Sequence, residues 1–341
     1  MTAMVYAPPV TPGCQRLRPL PCETTASYLT RLAHAYRQNL PQLLDALAIA
    51  VDAQGKNLAG VPGAELHPNH AAQVRIAALA RIPHPHLARA LPRWEPVAGT
   101  RPARPGSGHE PPHITWQRTP RHRQPPLAVC PACVLHHTHG ATRTAWAHTP
   151  DHQRLCTRHH TWPAGGEHSA ILNVAALPEL QRAQRAHQRL QRHRGADLAW
   201  SWAQTITTRW YDHQQHAAPR WHRRATALAS ANSELVPVRG SWALLARDTV
   251  TYPDTVTLAR ALHHHRLLLT PDNHNGPRRH THPAHAAFLR HTATQLGLPH
   301  LDPAQDDPLW TWIHHHTEKP STPSPRRTAF RTTPTHTGDT N

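Results

Sequence analysis

Apolar residues recur at helical spacing near the N-terminus. Leu29, Leu32, Ala33 and Tyr36 fall at i, i+3, i+4 and i+7, which predicts a helix over 24–36. Glu23, Thr24 and Thr25 offer capping oxygens and negative charge at its start. Pro41 suits the first turn of a second helix reaching toward residue 51, with Leu43, Leu44, Leu47 and Ala48 on it. Val74, Ile76, Leu79 and Ala80 mark a third helix over 70–81, ended by Pro83 and Pro85. A short fourth holds Leu87, Ala88 and Leu91. Helix, tight turn, helix is the outline of a DNA-reading helix-turn-helix. Two prolines fit that turn poorly, so core packing is the expected use of the pair.

Farther on, Leu180, Ala183 and Leu190 give a thin apolar face to a helix within 177–194, opened by Pro178 and Glu179. Further helices are expected near 197–210, 220–230, 254–262, 284–296 and 306–315. No strand-rich region and no internal repeat stands out. The chain therefore reads as mainly α: a helical N-terminal region, a small zinc-ribbon or zinc-knuckle module and a helical C-terminal half. The expected order is a disordered Pro-rich arm (1–18), a helical region (19–94) and a Pro/Arg-rich linker (95–126). A metal module with a basic helix (127–195), a helical region (196–316) and a disordered Pro/Thr/Ser/Arg tail (317–341) follow. With only two Phe, the tryptophans, among them Trp200, Trp210, Trp221 and Trp312, are expected to supply core.

The metal module rests on spacing. Cys130-Pro131-Ala132-Cys133 places two thiolates on one turn, and Cys156-Thr157-Arg158-His159 places a thiolate and an imidazole on another. Cys130, Cys133, Cys156 and His159 complete a Cys3His set, a closed shell suited to one structural Zn²⁺ with no open position for substrate. His160 is the substitute ligand. Trp146 and Trp162, in or beside the module, are expected to pack over the ligands. The remaining cysteines, Cys14 and Cys22, stand alone, so no disulfide framework is implied. A reducing cytoplasm fits this, as does the lack of Lys or Arg in the first ten residues. The longest apolar stretch is too short and too polar to span a bilayer.

Charge adds a partner class. The chain has 37 basic and 20 acidic residues, a net +17, with only Lys56 and Lys319 as lysines. Such a surplus favours a polyanion, although a GC-rich coding bias accounts for part of it. Arg182, Arg185, Arg189 and Arg192 form one stripe along the 177–194 helix and are candidates for phosphate contact. Carboxylates are few and scattered, and no phosphate-cradling loop or HExxH motif is present, so a non-catalytic role is expected.

Two segments together resemble a known family. Pro19-Leu20-Pro21-Cys22-Glu23-Thr24-Thr25-Ala26-Ser27-Tyr28-Leu29-Thr30-Arg31-Leu32-Ala33 is similar to the N-terminal signature of the TniQ family, P-x-P-x-E-[ST]-x-x-S-[WY]-L-x-R-[LI]-A. The family's C-P-x-C, Trp and C-x-x-H order recurs as Cys130, Pro131, Cys133, Trp146, Cys156 and His159. Between them, 76–83 and Leu87 to Trp94 resemble the family's helical segment before a proline-tryptophan motif. Thr157 and His160 depart from the family's usual Pro and Gly. The resemblance spans about 19–195. It implies a transposition accessory protein, an adaptor assisting transposition or target-site selection beside a transposase and an AAA+ ATPase, on DNA or a nucleoprotein complex. Glu23, Ser27 and Arg31 are the motif's polar residues, and one of Glu23 and Arg31 is expected to anchor its helix to a neighbouring segment.

Two other readings differ in class. A His-Asn-His nuclease would use His159-His160, Asn173 and His187, but the acidic residue usual before the first His is replaced by Thr157 and Arg158. A zinc-containing transcription regulator would differ mainly in partner.

Overall fold

The computed structural model describes residues 12–52, 64–91, 94, 111–118, 125–164, 170–235, 241–269, 282–301 and 307–317. The expected arm up to residue 11, the linker portions 95–110 and 119–124 and the tail from 318 lie outside the described residues.

Helix α1 (Thr25–Ala35) begins where the Thr24 hydroxyl accepts the Ser27 N–H at 3.1 Å. Its inner face carries Tyr28, Leu29, Leu32 and Ala33, all fully buried. Helix α2 (Leu40–Ala46) opens on a reciprocal capping box between Asn39 and Gln42, with Pro41 in its first turn. It is shorter than the apolar spacing predicts. The chain leaves the helix at Ala48 (φ +49°), and Ala50–Val51 form strand β1. Arg75 donates to the Leu47 and Ala48 carbonyls at 2.5 and 3.2 Å, so the helix end is satisfied without another turn.

Helices α3 (His70–Ala80) and α4 (His84–Ala90) are joined by Arg81 in the left-handed region. Pro83 and Pro85 lie at the cap and first turn of α4, where a missing N–H costs nothing. Strands correct the all-helical expectation for this region. β2 (Ala64–Pro68) pairs antiparallel with β3 (His113–Arg118), and β1 pairs parallel with β3, giving the order β1-β3-β2. β3 lies inside the stretch read as a linker. Its alternating Ile114 and Trp116 are masked in the sequence by surrounding Pro, Arg and His. Residues 12–18, read as part of the arm, also touch the fold: Leu17 is buried and its carbonyl accepts the Tyr28 hydroxyl at 3.0 Å. The core of this region gathers Leu29, Leu32, Leu44, Leu66, Ile76, Leu87 and Trp94. Each such apolar side chain contributes about 1.5–3 kcal/mol by leaving water.

Next come β4 (Leu127–Ala128), α5 (Pro131–His137) and β5 (Trp146–Ala147), with β4 antiparallel to β5. β6 (Thr161–Pro163) and β7 (Ile171–Asn173) form a second antiparallel pair. The later helices are α6 (Glu179–Leu190), α7 (Ala196–Asp212), α8 (Ala218–Ala231), α9 (Ser241–Leu269), α10 (His282–Leu296) and α11 (Pro308–Thr317). The expected helix at 254–262 is part of the longer α9. Pro253 lies inside it, and Arg224 donates to the Val250 carbonyl at 2.7 Å in the turn before the proline.

The protein is thus mainly α with small strand pairs, and it divides into two units, 1–260 and 261–341, within α9. In the second unit the His265 ring stacks on Phe288 at 4.3 Å, and Trp312, Leu309 and Ile313 are buried. Asp307 caps α11 by accepting the Leu309 N–H at 2.7 Å. No helix among the described residues is long and apolar enough to cross a membrane.

Candidate metal centre

Each predicted donor pair sits on a tight turn. Cys130 caps α5 and Cys133 lies in its first turn, so free backbone N–H groups point toward the sulfurs. Cys156 and His159 flank a turn closed by the Cys156 N–H bonding the Thr161 carbonyl at 2.9 Å. His159 Nδ1 lies 3.4 Å from Cys130 Sγ, 3.3 Å from Cys133 Sγ and 3.6 Å from Cys156 Sγ. Cys133 Sγ lies 3.7 Å from Cys156 Sγ. All four donor atoms fall within 4.8 Å of one another, the one such group of at least three His, Cys, Asp or Glu among the described residues. A tetrahedron with metal–sulfur bonds of about 2.3 Å and metal–nitrogen bonds of about 2.0 Å has edges of roughly 3.5–3.8 Å, so the set fits one small tetrahedral ion.

The electrostatics point the same way. Burial alone would raise the Cys130 thiol pKa, but hydrogen bonds including the backbone N–H groups of Cys133 and Ala132 hold it below the ordinary value. Burial, with Cys156 and Cys130 close by, pushes Cys133 up to about 12. A bound dication would favour the deprotonated form of the thiols. A groove of about 280 Å³ runs past Cys22, Cys130, Cys133, Cys156 and Arg154, giving an ion a path to the donors. His160, the substitute ligand of the sequence reading, points elsewhere: it is exposed with φ +50°, outside the donor group.

The module is fastened to α1 by the polar motif residues. Glu23 and Arg31 are fully buried and form a two-pronged ion pair, Nε to Oε1 and Nη2 to Oε2, both at 2.6 Å. Ser27 donates to Glu23 Oε1 at 2.9 Å and accepts the Trp146 N–H at 2.9 Å. The Thr24 N–H bonds the Trp146 carbonyl at 2.9 Å, the His148 N–H bonds the Cys22 carbonyl at 2.8 Å, and Glu23 bridges Ala147. Leu20 packs with Val134 of α5. The expected anchor is therefore a buried node that adds the motif to β5. Glu65, which sequence reasoning missed, is buried on β2 and accepts the Ala26 N–H at 3.0 Å. A lone acid in a short strand offers no periodic signal.

A family model matches residues 14–162, described as TniQ. The likeness to the TniQ family thus covers this span, somewhat under half of the 341 residues. The matched TniQ span begins ahead of the buried Glu23–Arg31 pair, ends at Trp162 and encloses all four metal donors. Comparisons with curated proteins and with solved structures give no match.

Trp162, the last residue of that span, meets Tyr252 of α9 edge-on at 4.8 Å rather than simply covering the ligands, and Trp146 is half-buried in β5. His187, one of the nuclease candidates, is buried on α6, stacked on Trp200 at 3.9 Å with Nδ1 3.1 Å from the Tyr252 hydroxyl. Burial and neighbouring His152 push its pKa down to about 4. His159 belongs to the cysteine cluster, and Asn173 Oδ1 accepts its own loop's Ala175 N–H at 3.1 Å. The His-Asn-His trio therefore supplies no second group of metal donors among the described residues. Of the stripe arginines, Arg182, Arg185 and Arg189 lie on α6 and Arg192 in the turn just past its end, the helix being shorter than the spacing predicts; all four are exposed, and none pairs with a carboxylate among the described residues. Of the histidine run at 263–265, His263 and His265 are buried.

Proposed function

We propose that this protein is a zinc-stabilised adaptor of the TniQ type that assists transposition or target-site selection by engaging DNA or a nucleoprotein complex, without catalysis. The observation that carries the reading is the union of the TniQ motif with the Cys3His cluster through the buried Glu23–Ser27–Arg31 node. Three thiolates and an imidazole select Zn²⁺ among common ions, and a full set of four protein ligands leaves no position for a substrate. When bound, zinc would supply folding energy to 127–163, held by Cys130, Cys133, Cys156 and His159. The α6 arginines supply a cationic face for phosphate oxygens, which guanidinium forks engage two at a time. A transposase and an AAA+ ATPase are the protein partners that this reading names.

The reading is tested with the purified full chain. Elemental analysis should find one zinc per chain in wild type and far less in Cys130→Ser and Cys156→Ser. A radiolabelled duplex incubated with Mg²⁺ or Mn²⁺ should be retained but not cut. The partner transposase or ATPase, co-expressed with a tagged chain, should co-purify with it. Full zinc content in both cysteine variants would remove the metal site, and metal-dependent cleavage would favour the nuclease class.

A further inference from the structure

The metal cluster and the arginine stripe touch through one side chain. Gln184 lies on the inner face of α6, flanked in sequence by Arg182 and Arg185, whose side chains face solvent. Its carboxamide is buried, and its oxygen and its nitrogen are each bonded. Oε1 accepts the Leu155 N–H at 2.8 Å, and Nε2 donates to the Leu155 carbonyl at 3.1 Å. The side chain thus pairs with one residue as a neighbouring strand would. Leu155 is the residue immediately before the donor Cys156.

On its N-terminal side, the segment that Gln184 grips is tied by Arg154, which pairs with Asp151 and Asp248. Beyond Leu155, the turn to His160 is held by the Cys156–Thr161 bridge and by the Val174 N–H bonding the His160 carbonyl at 2.8 Å. The remaining constraint would come from Cys156 and His159 on an ion. At its start α6 is tied separately, by Glu179 to Arg224 at 2.9 Å, and its middle rests on Leu180, Ala183 and Leu190. Loss of the ion would therefore leave α6 helical and still held by His187 on Trp200 and Tyr252, but loosen its tie to the turn that carries Cys156 and His159.

We propose that metal occupancy of the Cys3His cluster tightens the hold of the α6 arginines on nucleic-acid phosphates, with Gln184 as the positioning residue that couples the two. The proposal rests on the reading of the stripe as a phosphate-binding face. A surface of ordered guanidinium groups spends less conformational freedom on binding than one whose helix drifts, so ordering by the ion appears as affinity. Coupling is reciprocal: if zinc strengthens duplex binding by some factor, a duplex must strengthen zinc binding by the same factor.

The test measures zinc dissociation from the full chain by competition with a chromogenic chelator, with and without a saturating 25-base-pair duplex. In wild type the duplex should tighten zinc about tenfold, within the usual range of such couplings. Gln184→Met keeps the length and bulk of the side chain and removes both hydrogen bonds. It should retain one zinc and its helix content, while the duplex effect falls below about threefold. Gln184→Glu, which keeps an acceptor for the Leu155 N–H and loses the donor, serves if the methionine variant folds poorly, and its duplex effect should also fall. Duplex-independent zinc affinity in wild type, or undiminished coupling in the Gln184 variants, would overturn the proposal. Replacement of the four stripe arginines by alanine separates the two layers. Lost duplex binding there, with zinc in wild type indifferent to duplex, condemns the coupling alone. Unchanged duplex binding condemns the stripe reading and the coupling with it.

Discussion

The buried node on α1 and the outer face of α6 use the same residue in opposite ways. Arg31 has no exposure and spends its fork on Glu23 and the Arg18 carbonyl. Farther along, Arg154 pairs with Asp151, and Arg224 pairs with Glu179 and Asp254. Arg182, Arg185, Arg189 and Arg192 stand in solvent without a carboxylate partner among the described residues. A chain with 37 basic and 20 acidic residues cannot neutralise every cation, and here the acids go to arginines that are buried or fasten elements together. Unpaired buried charge is expensive and unpaired exposed charge is not. The surplus therefore lies on the surface, at Arg16, Arg37, Arg143, Arg158 and Arg223 as well as along the stripe. The contrast teaches that net charge alone does not locate an interface; pairing and burial sort structural arginines from available ones.

The comparison can be strained most by removing the metal. In zinc-finger peptides structural zinc contributes on the order of 10 kcal/mol. Chelation or Cys130→Ser should unfold 127–163 and, through Trp146 and Ala147, loosen the α1 node as well. Hydrogen exchange should show lost protection at Trp146 and Ser27 together. Protection confined to one of them would mean that the node and the metal module are independent. The next largest effect belongs to Glu23→Ala. It strands Arg31 as a buried cation, at a cost of about 3–5 kcal/mol. A fall in denaturation midpoint of that size is expected, and an unchanged midpoint would return Glu23 to a surface role.

Much of this was legible in the sequence, for identifiable reasons. The C-x-x-C and C-x-x-H pairs are local, so spacing alone named four side chains that the fold brings together. Helix α1 announced itself because period, cap and motif agree over one short segment. β2 and β3 did not. Their partners lie far apart in sequence, and β3 carries only Ile114 and Trp116 as inward apolar residues amid Pro, Arg and His. Pro253 disguised the extent of α9 because a proline inside a helical pattern ordinarily marks a boundary. Glu65 and Gln184 had no signature at all. Each is one polar residue on a short element, and its importance comes from a backbone 39 or 29 residues away in sequence.

Ser27→Ala probes the node more gently. The hydroxyl serves both Glu23 and the Trp146 N–H, so its loss should leave that N–H without a partner at a cost of about 1–2 kcal/mol. Ser27→Ala should melt earlier than wild type while keeping one zinc per chain. An unchanged melting temperature would show that water replaces the hydroxyl at β5.

The smallest change in stability is expected on the other side of the comparison, and there the readout is binding. Changing Arg182, Arg185, Arg189 and Arg192 to alanine removes four exposed groups with no carboxylate partner among the described residues. Surface substitutions of this kind usually stay within about 0.5 kcal/mol each, and alanine favours the helix. Melting should therefore barely move. Affinity for duplex DNA should move a great deal. If the stripe neutralises about four phosphates, the slope of log affinity against log salt is near −3.6, and most of it should vanish in the variant. The loss should be similar on unrelated duplex sequences, since phosphates carry no base identity. Titrations at several salt concentrations decide the matter. An unchanged slope with unchanged melting would make α6 a solvated face, and the surplus arginines would then record codon bias rather than a partner.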